Sequence, residues 1–400
     1  MSRYMLRRML LPLLTLLAIT SAAPAAPSSP PAEEARTAPL EPAYLEFAQA
    51  VEKGINARNA AALDAHIDID AIARRSTQGV QVPAEFAKAF TQGLKQSGLG
   101  FGKQLVSTFD DESTFTLLRA RSTKGIPRAL FRSVTPQGLN YLDLELTRNA
   151  KGQVKVVDLY PYVTGELISE TLRRSYIAAA ADANQGLVDR LMGKEQTYLK
   201  NLPKVQAMRA ALQAGKNEEV IRIYGQLPAS FKVDKIALLL RLQAAAAMSV
   251  EGEPYAQAIS DFEKALPNDP SLELVSFDGY LLRKDHAGAV RAMDRLDRRV
   301  RDPYLSVLRG NVMLDKGDTA EARRHYAAAV AAEPTLLVAH WSLAGLALQT
   351  KQYKELGERL DALEATGQVE LNDLEGVAEY EGFVKSPEYK TWKKRRAAKK

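Results

Sequence analysis

The sequence predicts a multidomain chain in which an α+β domain, helices plus a bent antiparallel sheet, is followed by an all-α array of helical hairpins. Three observations lead there. Apolar residues recur at helical spacing between Tyr44 and Leu94, then at a period of two between Thr114 and Tyr160. From Asn201 to Gln368 the helical spacing returns and repeats itself every 34 residues or so.

Composition bounds the function classes. The chain has 400 residues, 46% of them hydrophobic, ample for cored domains. It has no cysteine, which excludes disulfides, thiolate nucleophiles, cysteine-ligated zinc or iron–sulfur centres and a lipoprotein anchor. Residues 1–26 carry Arg3, Arg7 and Arg8, an apolar run from Met9 to Ile19, and the small residues Ala22, Ala23, Ala25 and Ala26. This is secretory signal architecture, with an apolar run shorter than the roughly 20 residues that span a bilayer. A periplasmic or secreted protein, not transmembrane after cleavage, is expected to begin between Ala23 and Pro27. The Pro- and Ala-rich residues 27–42 read as a disordered spacer.

The formal net charge of +6 is concentrated at the two ends. Three positive charges lie in the signal, and Lys393, Lys394, Arg395, Arg396, Lys399 and Lys400 close the chain. Without these nine the body is slightly acidic, so no nucleic-acid partner is expected. The basic end reads either as a solvated charge run or as a contact to anionic lipid headgroups or an acidic partner.

Residues 43–165 form the α+β domain. Tyr44, Phe47, Ala48, Val51 and Ile55 mark one face of a helix, and Phe86, Phe90 and Leu94 that of another. Extended segments are expected at Lys103–Phe109, Thr114–Arg121, Ala129–Val134 and Tyr141–Leu146, and again over Val154, Val156 and Tyr160, with a hairpin connection at Asn149-Ala150-Lys151-Gly152. Alternation puts Asp158 on the face of Val154, Val156 and Tyr160, where an unpaired carboxylate is costly. It reads either as a buried structural hydrogen bond to a tyrosine or backbone amide, or as half of an acid–base site with Tyr141, Asp143, Tyr160 or Tyr162.

The order of helices before a bent sheet, with VKVVDLYPYVTGE as its last strand, resembles the nuclear transport factor two-like cone fold. That fold also houses ketosteroid isomerase and scytalone dehydratase relatives. The resemblance implies a cavity over Tyr141, Asp143, Asp158 and Tyr160, and with it the alternative function of an enzyme or small-ligand binder. The run Asp64-Ala65-His66-Ile67-Asp68-Ile69-Asp70 looks superficially like a hard-metal site. It is more simply a set of helix caps, with Asp70 starting a helix at Ala71. His286, His325 and His340 read as surface or packing residues. There is no G-x-S-x-G, P-loop, dinucleotide fingerprint or H-E-x-x-H, so no catalytic residue, cofactor or metal is assigned.

Residues 166–200 read as a connecting amphipathic helix bearing Leu172, Tyr176, Leu187, Leu191 and Tyr198. Residues 201–370 hold about five hairpins. Gly310 is followed by Ala322, Tyr326, Ala329 and Pro334, with a turn at Lys316-Gly317-Asp318. Ala258, Phe262, Ala265 and Pro270 repeat the second-helix part, and Val220/Tyr224/Leu227, Ala289/Met293/Leu296 and Leu356/Leu360/Leu363 echo it. This resembles a tetratricopeptide repeat, in which small residues let paired helices approach and an aromatic fills the notch between them.

The resemblance implies a groove lined by first helices that holds a protein or peptide partner, here through Tyr304, Leu308, Asn311 and Trp341. Trp341 reads equally as core between hairpins. Residues 371–400 form a capping helix and basic tail, with Phe383, Tyr389 and Trp392 covering the last hairpin. The expected function is thus that of an exported adaptor binding a protein or peptide.

Overall fold

A computed structural model describes residues 40–80, 82–136, 138–183 and 194–399. The expected signal segment, the spacer up to residue 39, Leu187, Leu191 and Lys400 lie outside the described residues. Two compact units divide the chain between Leu282 and Arg283, inside the helical region.

In the first unit, α1 (Pro42–Asn56), α2 (Ala61–Asp64), α3 (Ile69–Thr77), α4 (Ala84–Ser97) and α5 (Phe101–Ser107) precede the sheet. Helix α1 starts on a proline and buries Tyr44, Phe47, Ala48, Val51 and Ile55, as their spacing predicts. Helix α3 begins two residues earlier than expected, because Asp68 rather than Asp70 caps it, accepting from the Ala71 amide at 2.8 Å. Asp70 instead pairs with Lys95 at 2.7 Å. The strand expected at 103–109 is helix α5. Its orphan amides Gly102 and Lys103 donate to the Asp64 carboxylate at 2.7 and 3.0 Å, a cap supplied from 38 residues away that no local pattern reveals.

Strands β1 (Thr114–Thr123), β2 (Ile126–Thr135), β3 (Gly138–Arg148) and β4 (Val154–Pro161) form one antiparallel sheet in sequence order. Lys124 and Gly125, both at positive φ, make the two-residue turn between β1 and β2. Phe115 stacks on Phe131 at 4.6 Å, and these join Leu142, Leu144, Leu146, Val154, Val156 and Leu159 in a core against α1. Both sheet edges are partly closed. Val156 of β4 exchanges backbone hydrogen bonds with His66 and Asp68 at 2.9 and 2.8 Å. On β1, the Asn56 amide brackets the Phe115 backbone at 2.7 and 2.9 Å, and Glu52 accepts from Leu117 at 2.9 Å.

One register shift corrects the predicted face of β4. Glu145 pairs with Asp158 and Leu146 with Val156, so Val157 is an extra residue in the ladder. Val154 and Val156 therefore face the apolar core, while Asp158 and Tyr160 face the opposite side.

Helix α6 (Ile168–Ala183) follows the sheet, then α7 (Lys194–Gln213), α8 (Asn217–Gly225), α9 (Ala229–Lys232), α10 (Lys235–Met248), α11 (Glu253–Ala265) and α12 (Leu272–Leu282). Helices α7 with α8, and α10 with α11, pack as pairs. Val163, Ile177 and Ala178 share one core with Tyr198, Val205, Met208 and Ile236, which joins the turn after β4 and α6 to these hairpins. Gly165, at φ +61°, sits where a Cβ would lie within 3.0 Å of the Lys235 ammonium, the Ser271 amide and the Asp269 carboxylate.

The second unit holds α13 (His286–Val300), α14 (Tyr304–Asp315), α15 (Thr319–Ala332), α16 (Leu337–Gln349) and α17 (Tyr353–Ala365), ending in the short α18 (Glu381–Val384) and α19 (Pro387–Lys399). Pairs α14/α15 and α16/α17 pack closely. Gly310 of α14 lies against the Tyr326 ring of α15, and a Cβ there would collide with the ring. The second-helix patterns fall on α8, α11, α13, α15 and α17, except that Leu227 of the first lies two residues past the end of α8. Phe383, Tyr389 and Trp392 are buried in one cluster with Leu356, Leu360 and Leu363 of the last pair. No helix among the described residues is long and apolar enough to cross a membrane.

Candidate functional site

The polar face of the sheet carries the densest chemistry in the first unit. The period-two pattern that sends Leu142, Leu144 and Leu146 to the core sends Tyr141, Asp143 and Glu145 the other way, and the bulge at Val157 adds Asp158 to them. Asp143 accepts from Arg121 at 2.8 Å and Arg128 at 3.4 Å. Glu145 accepts from Arg128 and, at 2.6 Å, from Arg75 of α3. Asp158 accepts from Arg75 at 3.0 Å, the Ser169 hydroxyl at 2.5 Å, and the Leu159 and Ser169 amides at 2.9 and 3.2 Å. Burial pushes the Asp158 carboxyl above its ordinary range, against the pull of Ser169 and Arg75. For Arg75, burial pulls the guanidinium down and Glu145 and Asp158 together more than offset it, so that it stands above its ordinary value.

The four residues of the predicted cavity, Tyr141, Asp143, Asp158 and Tyr160, do lie on one face, and all are buried. The face is a lattice of ion pairs, with Tyr160 and Tyr141 each edge-on to Tyr162 at 5.4 and 5.6 Å. Of the two readings of Asp158, the contacts are those of a structural carboxylate bound to backbone amides, a hydroxyl and an arginine. Sequence reasoning missed Arg75, Arg121, Arg128, Glu145 and Ser169. The alternation of Arg128 with Ala129 and of Glu145 with Leu144 and Leu146 held a readable signal. Opposite charges at polar positions of neighbouring strands pair across the ladder.

Beside this lattice, α3 borders a cleft of about 580 Å³ whose wall includes Arg74, Arg75, Thr147 and the bulged Val157. The Asp64–Asp70 run supplies caps and an ion pair, and His66 packs edge-on to Phe47 at 5.0 Å. Among the described residues no three His, Asp or Glu side chains converge as a metal site would require.

In the second unit the four predicted partner-binding residues part company. Tyr304 and Leu308 are buried, so they pack inside the array instead of lining an open face. Asn311 accepts from the Tyr326 hydroxyl at 2.7 Å, which commits its carbonyl to the notch between α14 and α15. Trp341 is half-buried and leans on the core that includes Leu356 and Trp392. The reason is geometric. A first helix packs against its own partner and its neighbours, leaving only a narrow stripe open. Half-buried Ser306 and Met313 on α14, and Val338, Ser342 and Gly345 on α16 with exposed Gln349, belong to that stripe, whereas Arg309 is largely buried and paired with Asp294 and Asp297. A Cβ at Gly345 would meet nothing within 4 Å.

The basic tail is largely engaged. Lys393 pairs with Glu375, Arg395 with Asp361 at 3.0 Å, and Arg396 with Glu364 at 2.7 Å. His286 meets Asp315 at 2.8 Å and His340 meets the Pro334 carbonyl at 2.8 Å. Burial holds His325 below its ordinary range. Comparison with models of known families, with characterised proteins and with solved structures finds no match to this chain.

Proposed function

We propose that the chain is an exported adaptor of the tetratricopeptide type, which holds a protein or peptide partner on the first helices of its hairpins. The observation that carries this reading is the fit of Gly310 against Tyr326 within a series of helix pairs whose second helices share one pattern. Small-against-aromatic packing at that register is the physical content of the repeat, and arrays built this way present their first helices to ligands. The half-buried stripe of Val338, Ser342 and Gly345 on α16, beside Ser306 and Met313 on α14, offers a shallow surface of small and apolar side chains suited to an extended or helical peptide.

The rival reading, a cavity enzyme or small-ligand binder of the ketosteroid isomerase or dehydratase type, finds less support. The acids it needs are bound by arginines, a serine and backbone amides. Export rests on the amino-terminal pattern, and contact of the basic tail with a membrane surface is weakened by its internal ion pairs.

The test uses wild type and Gly345→Arg as paired baits in envelope extracts. The variant places a long cation on the stripe at a position whose Cβ would meet nothing within 4 Å. A partner held by wild type and lost by the variant, at unchanged melting temperature, supports the proposal; identical partners for both baits remove the first-helix surface from it.

A further inference from the structure

The cleft beside α3 contains a guanidinium that is anchored on one side only. Arg75 uses a single nitrogen, Nη1, for both Glu145 at 2.6 Å and Asp158 at 3.0 Å. Those carboxylates are 4% and 0% exposed, whereas the Arg75 side chain is 37% exposed. Its Nε and Nη2 meet no acceptor among the described residues, and Arg75 borders the cleft. Arg74, the next residue, is exposed and has no ion pair among the described residues.

We infer that this cleft binds a carboxylate, received by the Nε–Nη2 edge of Arg75 and the Arg74 guanidinium. The planar edge of a guanidinium matches two coplanar oxygens. Anchoring through Nη1 has already removed much of the rotamer freedom that binding would otherwise cost. Thr147 and Gln78 add polar groups to the wall, the Asp68 carboxylate there is engaged as the cap of the Ala71 amide at 2.8 Å, and Ala71 with the bulged Val157 adds an apolar patch for the body of the ligand. The two buried carboxylates behind Arg75 lower the local positive charge, which favours a monoanion over a doubly charged phosphate. The carboxylate can belong to a small free acid or to the end of a peptide chain. The inference stands apart from the hairpin proposal, since it concerns the sheet unit.

The test follows the arginine Nε–Hε signals of the full chain in nuclear magnetic resonance, assigned by loss in Arg75→Lys and Arg74→Gln. The probes are N-acetylglycine, N-acetylated pentaalanine with a free carboxyl end, the same peptide as its amide, and inorganic phosphate. Expected is a saturable shift at Arg75 with one or both free acids and none with the amide. Pentaalanine acid binding tenfold tighter than N-acetylglycine assigns a chain end, and equal affinity assigns a small acid. Arg74→Gln, a substitution at an exposed position that leaves the ion pairs in place, is expected to weaken the better acid tenfold or more. The inference is overturned if no probe saturates, if the amide binds as well as the acid, if phosphate binds tighter than both acids, or if Arg74→Gln leaves affinity unchanged.

Discussion

In the hairpins of the second unit, helix spacing is set by volume: Gly310 receives the Tyr326 ring, and Gly357 lies beneath Trp392, where a Cβ would sit 3.3 Å from the indole. In the sheet of the first unit, the side chains of the polar face are matched by charge, with Arg75, Arg121 and Arg128 laced to Asp143, Glu145 and Asp158. The contrast matters because the two devices fail differently. A volume match tolerates pH and salt but not an added methyl group. A buried ion pair tolerates small shifts but leaves an uncompensated charge when one partner is removed.

The largest effect should come from the volume side. Trp392 is buried among Phe383, Tyr389 and the α17 leucines, so Trp392→Ala should destabilise the second unit by about 3–5 kcal/mol, read by denaturant unfolding. A loss under ~1 kcal/mol would mean that the cap is dispensable.

A buried charge in the first unit comes next. Asp278 accepts one hydrogen bond, from the Tyr255 hydroxyl at 3.1 Å, and burial pushes its pKa up to about 7. The unfolded chain releases that proton near the ordinary carboxyl value, so the folded state holds more protons between about pH 4 and 7. Stability contributed by this group is complete at the acid end of that window and lost as pH rises through it. Asp278→Asn should therefore gain stability relative to wild type from pH 5 to pH 8, on the order of 3 kcal/mol. A wild-type–variant difference that stays flat with pH would contradict the assignment.

Smaller still is Asp158→Asn, which keeps Ser169 as a donor but weakens the hold on Arg75. It should cost about 1–3 kcal/mol. Trp341→Ala, at a half-buried site, should cost about 1–2 kcal/mol, less than a fully buried tryptophan. Calorimetry on both variants sharpens the comparison, and a Trp341→Ala loss matching that of Trp392→Ala would place Trp341 wholly in the core.

How much was legible in the sequence follows the same divide. A helix keeps its period over many turns, so Ala322, Tyr326 and Ala329 announced α15, and the five second-helix patterns fall on helices, except that the first runs past α8 at Leu227. A strand changes face with one extra residue, and the bulge at Val157 moved Asp158 and Tyr160 across the sheet with no mark in the pattern. Helix α5 was misread as a strand because its cap, Asp64, arrives from elsewhere in the chain. Tyr304 and Leu308 come to an open face through the repeat resemblance combined with helical spacing, and the structure buries both. Spacing identifies which residues share a face but not which neighbour covers it.

The central structural claim is that Gly310 and Tyr326 form one fitted contact, and a double-mutant cycle tests it most directly. Gly310→Ala should cost about 1–3 kcal/mol in the presence of the ring, and Tyr326→Ala about 3–5 kcal/mol. With the ring removed, the added methyl has room, so the double variant should be more stable than the sum predicts by at least ~1 kcal/mol. Additive losses, with no coupling between the two positions, would contradict the hairpin packing on which the functional proposal rests.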